Sequence, residues 1–228
     1  MNVVAIILVI IVILLVYMLY RYFIIKSIEL ADTANLNAVN DAITLTNNPS
    51  SLRYSYGIWI YVNSWDASRE KTIFSRDGGN VKLYLSQTAP ILNLDITLND
   101  ESTKTLEITD NFPIQKWAHV VISADNQYID GYIDGKLVKS GRMNNISNNG
   151  SESSPKAPQG NLTLGSGIDI YITTFQHWSE PLAPQTVLSE YLKGNGQGGL
   201  GMKSFMASYG VDLSILKDNV EQTKFSIF

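Results

Sequence analysis

The hydrophobic pattern begins with one long apolar run. Residues 3–16 contain only Val, Ile, Leu and a single Ala, and no charged side chain occurs from residue 3 to residue 20. At a rise of ~1.5 Å per residue this stretch would reach ~27 Å as a helix, close to the ~30 Å hydrocarbon core of a bilayer. The run therefore predicts one transmembrane helix at the N-terminus.

The C-terminal flank of this run carries the residue types that sit at a membrane interface. Three tyrosines can form an aromatic belt, and a neighbouring Arg and Lys can extend toward head groups. The predicted anchor spans residues 1–26, and its marker residues are Val3, Ile10, Val16, Tyr17, Tyr20, Arg21, Tyr22 and Lys26. A cleaved signal peptide is the alternative, but no basic residue precedes the run and no A-x-A-like site follows it. The basic flank predicts a single-pass protein whose large domain is cytosolic.

After the anchor the pattern changes twice. Residues 27–51 are mostly polar and end in Asn-Asn-Pro-Ser-Ser, which indicates a spacer with room for a short helix. From residue 52 apolar and polar positions alternate with the period of β-strands. The predicted strands are 54–62, 72–75, 81–85, 91–98, 105–108, 117–123, 128–133, 137–139, 162–164 and 168–178. Short strands at this spacing predict an all-β antiparallel sandwich over residues 52–194.

Three local signals refine this domain. Asp134-Gly135 between two strands predicts a two-residue hairpin, because both residues tolerate positive φ. Residues 144–160, rich in Asn, Ser, Gly and Pro, indicate an exposed loop. Residues 184–193 predict a helix that starts at Pro184 and ends at Gly194.

The strand sequences resemble a known family. Residues 112–122 (FPIQKWAHVVI) and 128–138 (YIDGYIDGKLV) are similar to the W-x-H-V-(x)n-Y-x-D-G-x-x-V signature of laminin-G-like jelly rolls of the concanavalin-A-like class. Residues 56–60, 72–75, 164–165 and 168–191 also look like strands and the helix of that family, so the resemblance covers about 51–194. The signature residues are Trp59, Trp117, His119, Tyr132, Asp134 and Gly135. The resemblance implies a jelly roll and leaves function open.

Residues 195–228 form a Gly-rich linker and a C-terminal extension. Alternation in 211–215 and 225–227 predicts a short β-hairpin, with 209–216 pairing against 224–228. This tail looks like those of jelly-roll proteins of large icosahedral DNA viruses. That resemblance implies a minor capsid protein tied to the internal membrane of the virion.

Composition narrows the partners. The formal charge of -4 supplies no basic field for nucleic acid, so no nucleic-acid partner is expected. The absence of cysteine excludes disulfides and thiolate sites and favours a reducing compartment.

No catalytic set is recognisable, and the chain is expected not to be an enzyme. The E-x-D-x-x-E motif of related glucanases is absent, and Glu101 and Glu107 do not match its spacing. His119 and His177 are interpreted as structural. The run Gly194-Asn195-Gly196-Gln197-Gly198-Gly199 matches G-x-G-x-x-G but lacks a preceding strand, so we interpret it as a linker.

Two kinds of ligand remain open. No cofactor is expected, although calcium is compatible with Asp77, Asn80, Asp134 and Asp169, which are turn residues first. Sugars could stack on an exposed subset of Tyr54, Tyr56, Trp59, Tyr61 and Trp65.

The leading hypothesis is a non-enzymatic structural protein that links an internal viral membrane to a capsid shell, with membrane and structural proteins as its partners. The alternative is a membrane-displayed carbohydrate-binding or adhesion module. Three glycosylation sequons begin at Asn145, Asn149 and Asn161, and modification there would report a luminal domain.

Overall fold

The computed structural model describes residues 3–23, 27–45, 51–76, 80–146, 150–195, 212–217 and 220–226. The chain begins with helix α1, Val3–Phe23, whose side chains are described only at residue 8 and at residues 10–19. Among the residues whose side chains the structure describes, no helix is long and apolar enough to cross a membrane. The anchor stays a prediction. The side chains of Val3, Tyr20, Arg21 and Tyr22, and all of Lys26, lie outside the described residues.

The rest of the described chain is dominated by two antiparallel sheets packed face to face. The larger sheet has six strands in the order β1-β13-β2-β7-β8-β9. Its strands are β1 Ile28–Asn35, β2 Arg53–Val62, β7 Trp117–Asp125, β8 Tyr128–Ile133, β9 Lys136–Arg142 and β13 Ile170–Trp178. Non-consecutive neighbours in this order are typical of jelly-roll connections.

The second sheet has five strands in the order β12-β3-β4-β5-β6. Its strands are β3 Lys71–Arg76, β4 Val81–Leu85, β5 Leu92–Thr97, β6 Thr103–Thr109 and β12 Leu162–Leu164. Each lies within a few residues of a predicted strand, because period-two alternation marks residues that turn one face to a core. The predicted all-β antiparallel jelly roll is confirmed.

The main core fills the space between the two sheets. In β2 every second residue points inward, so that Tyr54, Tyr56, Ile58, Ile60 and Val62 are all buried. The intervening residues lie on the outer face of the six-stranded sheet. That outer face is the one on which helix α2, Pro184–Leu192, packs.

One domain boundary is wrong. Residues 27–51 were predicted to be a spacer, but β1 pairs with β13 as an edge strand of the six-stranded sheet, and Leu36 is fully buried. Ile43 also forms a bridge to Leu162 of β12. An edge strand has a neighbouring strand on one side only and is more exposed to solvent, so its sequence need not show the apolar alternation of a central strand.

Two peripheral segments also form strands. Within the predicted loop 144–160, β10 Asn145–Ile146 pairs with β11 Glu152–Ser153, and Pro155 bridges to Leu98. Near the C-terminus, β14 Asp212–Lys217 pairs antiparallel with β15 Val220–Ser226. The side chains of this hairpin lie outside the described residues.

Candidate functional site

The signature residues hold α2 against the outer face of the six-stranded sheet. The rings of Trp59, His119 and Tyr191 of α2 pack against one another: the Trp59 centroid lies 5.0 Å from that of His119 and 5.6 Å from that of Tyr191, and the last two lie 6.2 Å apart. Trp59 is only 7% exposed as a result. Stacked aromatic pairs of this kind stabilise a contact beyond the area they bury. This part of the signature therefore acts in packing.

Asp134 and Gly135 form the tight turn between β8 and β9. Their φ angles are +49° and +77°, as a two-residue hairpin turn requires. The Asp134 carboxylate accepts a hydrogen bond from the backbone N–H of His119 at 2.9 Å, and the Asp134 N–H donates to the His119 carbonyl at 2.8 Å. A Cβ on Gly135 would lie 3.0 Å from Leu188 of α2. The turn is thus locked both to β7 and to the helix.

A small second core lies beneath the segment that leads into α2. It consists of Val121, Tyr132, Trp178, Leu182 and Val187. The backbone N–H of Leu182 donates to Ser55 Oγ at 3.1 Å and to Ser123 Oγ at 2.9 Å. Tyr132 and its neighbours in the signature therefore serve the fold, and a ligand site must be sought elsewhere.

One end of the same outer face carries a row of partly exposed aromatic rings. Tyr171 of β13, Tyr61 of β2 and Trp117 of β7 are register partners on three adjacent strands. The Tyr61 centroid lies 6.5 Å from that of Tyr171 and 5.4 Å from that of Trp117. All three side chains are half-buried, so each ring is held by the sheet and keeps a solvent-facing part. We refer to these three residues as the aromatic row.

Polar groups border the row. Asn35 of β1 pairs with Tyr171, which places an amide at one end of the row. At the other end, the exposed Lys116 precedes Trp117, and its Nζ lies 4.0 Å from an Asp134 carboxylate oxygen. Rings flanked by amides and charges can stack on an apolar ligand face and also bond its polar edge.

A cleft of about 140 Å³ lies at the same end of the sheet as the row, lined by Asp169 and Ile170, which precede Tyr171 in the chain, and we call it the end cleft. Its lining includes Asn37, Asp66, Arg69, Lys71 and Asp169. One carboxylate oxygen of Asp169 accepts hydrogen bonds from Asn63 Nδ2 at 2.7 Å and Ser64 Oγ at 2.6 Å. The charged side chains of the cleft comprise two acids and two bases, so its formal charge is balanced.

The basic residues of the end cleft are held in different ways. Lys71 is 2% exposed, its Nζ donates to the carbonyls of Arg69 and Gln87, and it lies 3.9 Å from the Trp65 ring centroid. Burial lowers the pKa of Lys71. Arg69 is half-exposed and pairs with Asp66 at 3.3 Å. Hydrogen bonds from Ser68 hold the pKa of the exposed Asp66 below its usual value.

The aromatic residues predicted to stack on sugars differ in exposure. Tyr54, Tyr56 and Trp59 are buried at 3%, 1% and 7% exposure, so their candidacy is wrong, because the two faces of β2 are both covered over most of its length. Tyr61 keeps an accessible part as one ring of the row. Tyr171 was missed as a ring partner, although an aromatic residue at the start of a predicted strand was a usable signal.

The predicted calcium residues do not converge. Asp77 lies outside the described residues, Asn80 donates to the Ala157 carbonyl, and Asp134 and Asp169 are engaged in separate turns. Within the described parts of the chain, no group of three or more His, Asp or Glu side chains could hold a metal ion.

The carboxylates proposed for comparison with glucanases are also separate. Glu101 lies in a turn and pairs with Lys156 at 2.6 Å, whereas Glu107 lies on the exposed face of β6. The four strand steps from Thr103 to Glu107 alone correspond to about 13 Å, beyond the ~5 to 9.5 Å that paired glycosidase carboxylates require.

Both histidines lie where charge is disfavoured. Burial lowers the pKa of His119 to about 4. Burial, followed by the positive charge of Arg76, lowers the pKa of His177 to about 4. Neither ring nitrogen of His177 has a hydrogen-bond partner among the described residues. Both side chains are therefore neutral near pH 7 and belong to the packing.

Family comparison agrees with this architecture. Residues 36–187, more than half of the chain, match a laminin G family described as the concanavalin A-like lectin/glucanases superfamily. The chain belongs to this superfamily. No curated protein matches it in sequence.

Solved structures with a similar fold include receptor-binding domains of botulinum neurotoxins. The type D domain has a TM-score of 0.55 at 18% identity, covering 70% of this chain and 43% of that one. The type C/D mosaic domain has a TM-score of 0.54 at 17% identity, covering 75% and 51%. A type D domain in complex with N-acetylneuraminic acid has a TM-score of 0.52 at 18% identity, covering 75% and 46%. The chain thus spans about half of each, and at these identities the similarity concerns the fold alone.

Proposed function

We propose that this concanavalin A-like domain is a non-enzymatic carbohydrate-binding module, and that α1 anchors it in a membrane. The observation that carries the proposal is the aromatic row of Tyr61, Trp117 and Tyr171, at the same end of the sheet as the end cleft. The row offers ring faces, and the cleft offers the amide of Asn37, the hydroxyl of Ser64 and charges of both signs. The anchor is supported by the uncharged sequence from residue 3 to residue 20 and by its helical structure.

A saccharide matches this combination better than other ligand classes. Pyranose rings have an apolar face that packs on aromatic side chains and a rim of hydroxyls that both donate and accept hydrogen bonds. The Asp169 carboxylate can accept from hydroxyls, and Arg69 can donate to them. Because the charges of the cleft balance, the proposal favours a neutral, hydroxyl-rich ligand over a strongly ionic one.

Binding to a glycan array tests the proposal. The full-length protein in detergent micelles would be screened against neutral oligosaccharides and against glycans ending in N-acetylneuraminic acid, the sugar in complex with one structural neighbour. Hits would be quantified by tryptophan fluorescence and calorimetry. Trp117→Ala should weaken binding about tenfold, since losing an aromatic contact of ~1.5 kcal/mol corresponds to that factor.

Tyr128→Ala is the matched control. Tyr128 is 58% exposed and lies at the opposite end of the same sheet, so its removal tests whether any exposed aromatic ring matters. Equal loss of affinity in Tyr128→Ala and Trp117→Ala would contradict the assignment of the site. Absence of binding to every glycan on the array would contradict the function itself.

A tether between a membrane and a protein layer is the second candidate. The β14–β15 hairpin lies beyond the family match and offers a separate element for protein contact. In this proposal the domain is cytosolic and faces a capsid shell. Expression in a eukaryotic cell distinguishes the two, because glycan on Asn145, Asn149 or Asn161 would place the domain in the lumen and remove the geometry of the tether.

A further inference from the structure

We infer that the aromatic row is directed away from the bilayer that holds α1, so that it engages saccharides presented from outside that bilayer. The inference rests on the proposed anchor and the proposed saccharide site. It adds which ligands the site can reach: glycans in solution or on an opposing surface, as opposed to glycolipids of the same membrane.

The connection between α1 and the six-stranded sheet is short. α1 ends at Phe23 and β1 begins at Ile28, so only residues 24–27 intervene. Five residue steps span at most about 18 Å even when fully extended. The beginning of β1 therefore stays close to the end of the helix, whatever path the connection takes.

The register of β1 against β13 places the aromatic row relative to this connection. Ile28 pairs with His177, whereas Asn35 pairs with Tyr171 of the aromatic row. The seven steps from Ile28 to Asn35 correspond to about 23 Å of strand. The aromatic row thus lies at the end of the sheet opposite to the end at which the chain arrives from α1.

The same register extends across the sheet. At the arriving end, which we call the near end, Arg53 pairs with Asp125, and Tyr128 pairs with Arg142. At the other end, the far end, Tyr61 pairs with Trp117. The end cleft belongs to the far end as well, since it is lined by Asn37 just after β1 and by Ile170 at the start of β13.

Two basic side chains described at the near end are held by acidic partners. Arg53 forms an ion pair with Asp125 at 3.1 Å, and Arg142 pairs with Glu152. Pairing with an acid reduces the attraction of a basic side chain to anionic head groups. The orientation is therefore inferred from the short connection between α1 and β1.

Single-cysteine labelling measures this orientation directly, because the chain contains no cysteine of its own. Tyr128→Cys labels the near end and Ile114→Cys the far end, at side chains that are 58% and 40% exposed. Each full-length variant would carry a fluorophore in phosphatidylcholine vesicles that contain a head-group nitroxide quencher. We expect the near-end label to be quenched at least twofold more strongly than the far-end label.

Equal quenching at the two positions, or stronger quenching at Ile114→Cys, would overturn the inference, since the far end would then rest on the lipid. Vesicle flotation separates the failure modes: protein that does not float with the vesicles is not anchored, and both the anchor and the orientation fall. The saccharide site is judged independently, by binding in detergent micelles. A functional readout completes the test. Vesicles that carry the wild-type protein should cluster with separate vesicles that display a glycan identified on the array. Vesicles that carry Trp117→Ala should not.

Discussion

The buried His177, whose ring nitrogens have no hydrogen-bond partner among the described residues, predicts a specific loss of stability in acid. His177 is fully buried, its ring centroid lies 5.1 Å from that of Tyr56, and burial together with the Arg76 charge lowers its pKa from 6.5 to about 4. In the unfolded chain the imidazole titrates near its ordinary pKa of ~6.5. The folded protein therefore resists protonation between pH 6.5 and 4, whereas the unfolded chain gains a proton.

The sign and size of the effect follow from proton linkage. A group whose folded pKa is depressed contributes its full stability above the unfolded pKa and loses it as the pH falls toward the folded pKa. A depression of about 2.5 units corresponds to about 3 kcal/mol at 1.36 kcal/mol per unit. At pH 4.5, two units below 6.5, about 2.5 kcal/mol of this should already be lost. That is a large fraction of a typical folding stability of ~5 to 15 kcal/mol.

His177→Leu isolates this contribution. Leucine fills much of the same space and cannot titrate, and no described hydrogen bond to the ring is lost. We expect the variant to be at least as stable as the wild type at pH 7 and to gain about 2.5 kcal/mol relative to it at pH 4.5. Urea unfolding of the full chain in mild detergent, followed by tryptophan fluorescence, measures both values.

Comparing the variant with the wild type at the same pH cancels the contribution of the carboxylates to the free energy of unfolding, because they titrate equally in the two proteins. His119→Leu provides a second case, since burial lowers the pKa of His119 to about 4 as well. A stability difference between His177→Leu and the wild type that is the same at pH 7 and pH 4.5 would refute the argument. The histidine would then be as easily protonated in the fold as in the unfolded chain.

Three further predictions concern the backbone and the chemistry. Gly165→Ala should abolish or severely impair folding, because the new Cβ would lie 1.8 Å from the Thr72 carbonyl oxygen. Circular dichroism measures this, and a normal melting curve would contradict the prediction. Asp134→Ala should lower the free energy of unfolding by ~1 to 3 kcal/mol because the His119 N–H loses its carboxylate acceptor, and Asp134→Asn, which keeps an acceptor oxygen, should lose less. Incubation with laminarin-like glucans should release no reducing sugar, and steady hydrolysis would show that a carboxylate pair was overlooked.

The sequence alone determined the class of fold and the position of most elements. Strands with one face toward a core leave a period-two record, and β4, β8 and β12 begin and end at the predicted residues. The Asp134-Gly135 turn was equally readable, because few residue pairs accept positive φ at both positions. Local chemistry of this kind is written into neighbouring residues and needs no knowledge of distant ones.

The site depended on contacts that no local pattern records. Tyr61, Trp117 and Tyr171 are far apart in the chain and meet only because β13, β2 and β7 are neighbours in one sheet. The alternation of residues along β2 indicates that Trp59 and Tyr61 share the outer face. Only the docking of α2 shows that Tyr191 covers Trp59 and leaves Tyr61 accessible. Strand order and helix docking result from the summed burial of the whole domain, and exposure of a given ring is therefore a property of the tertiary structure.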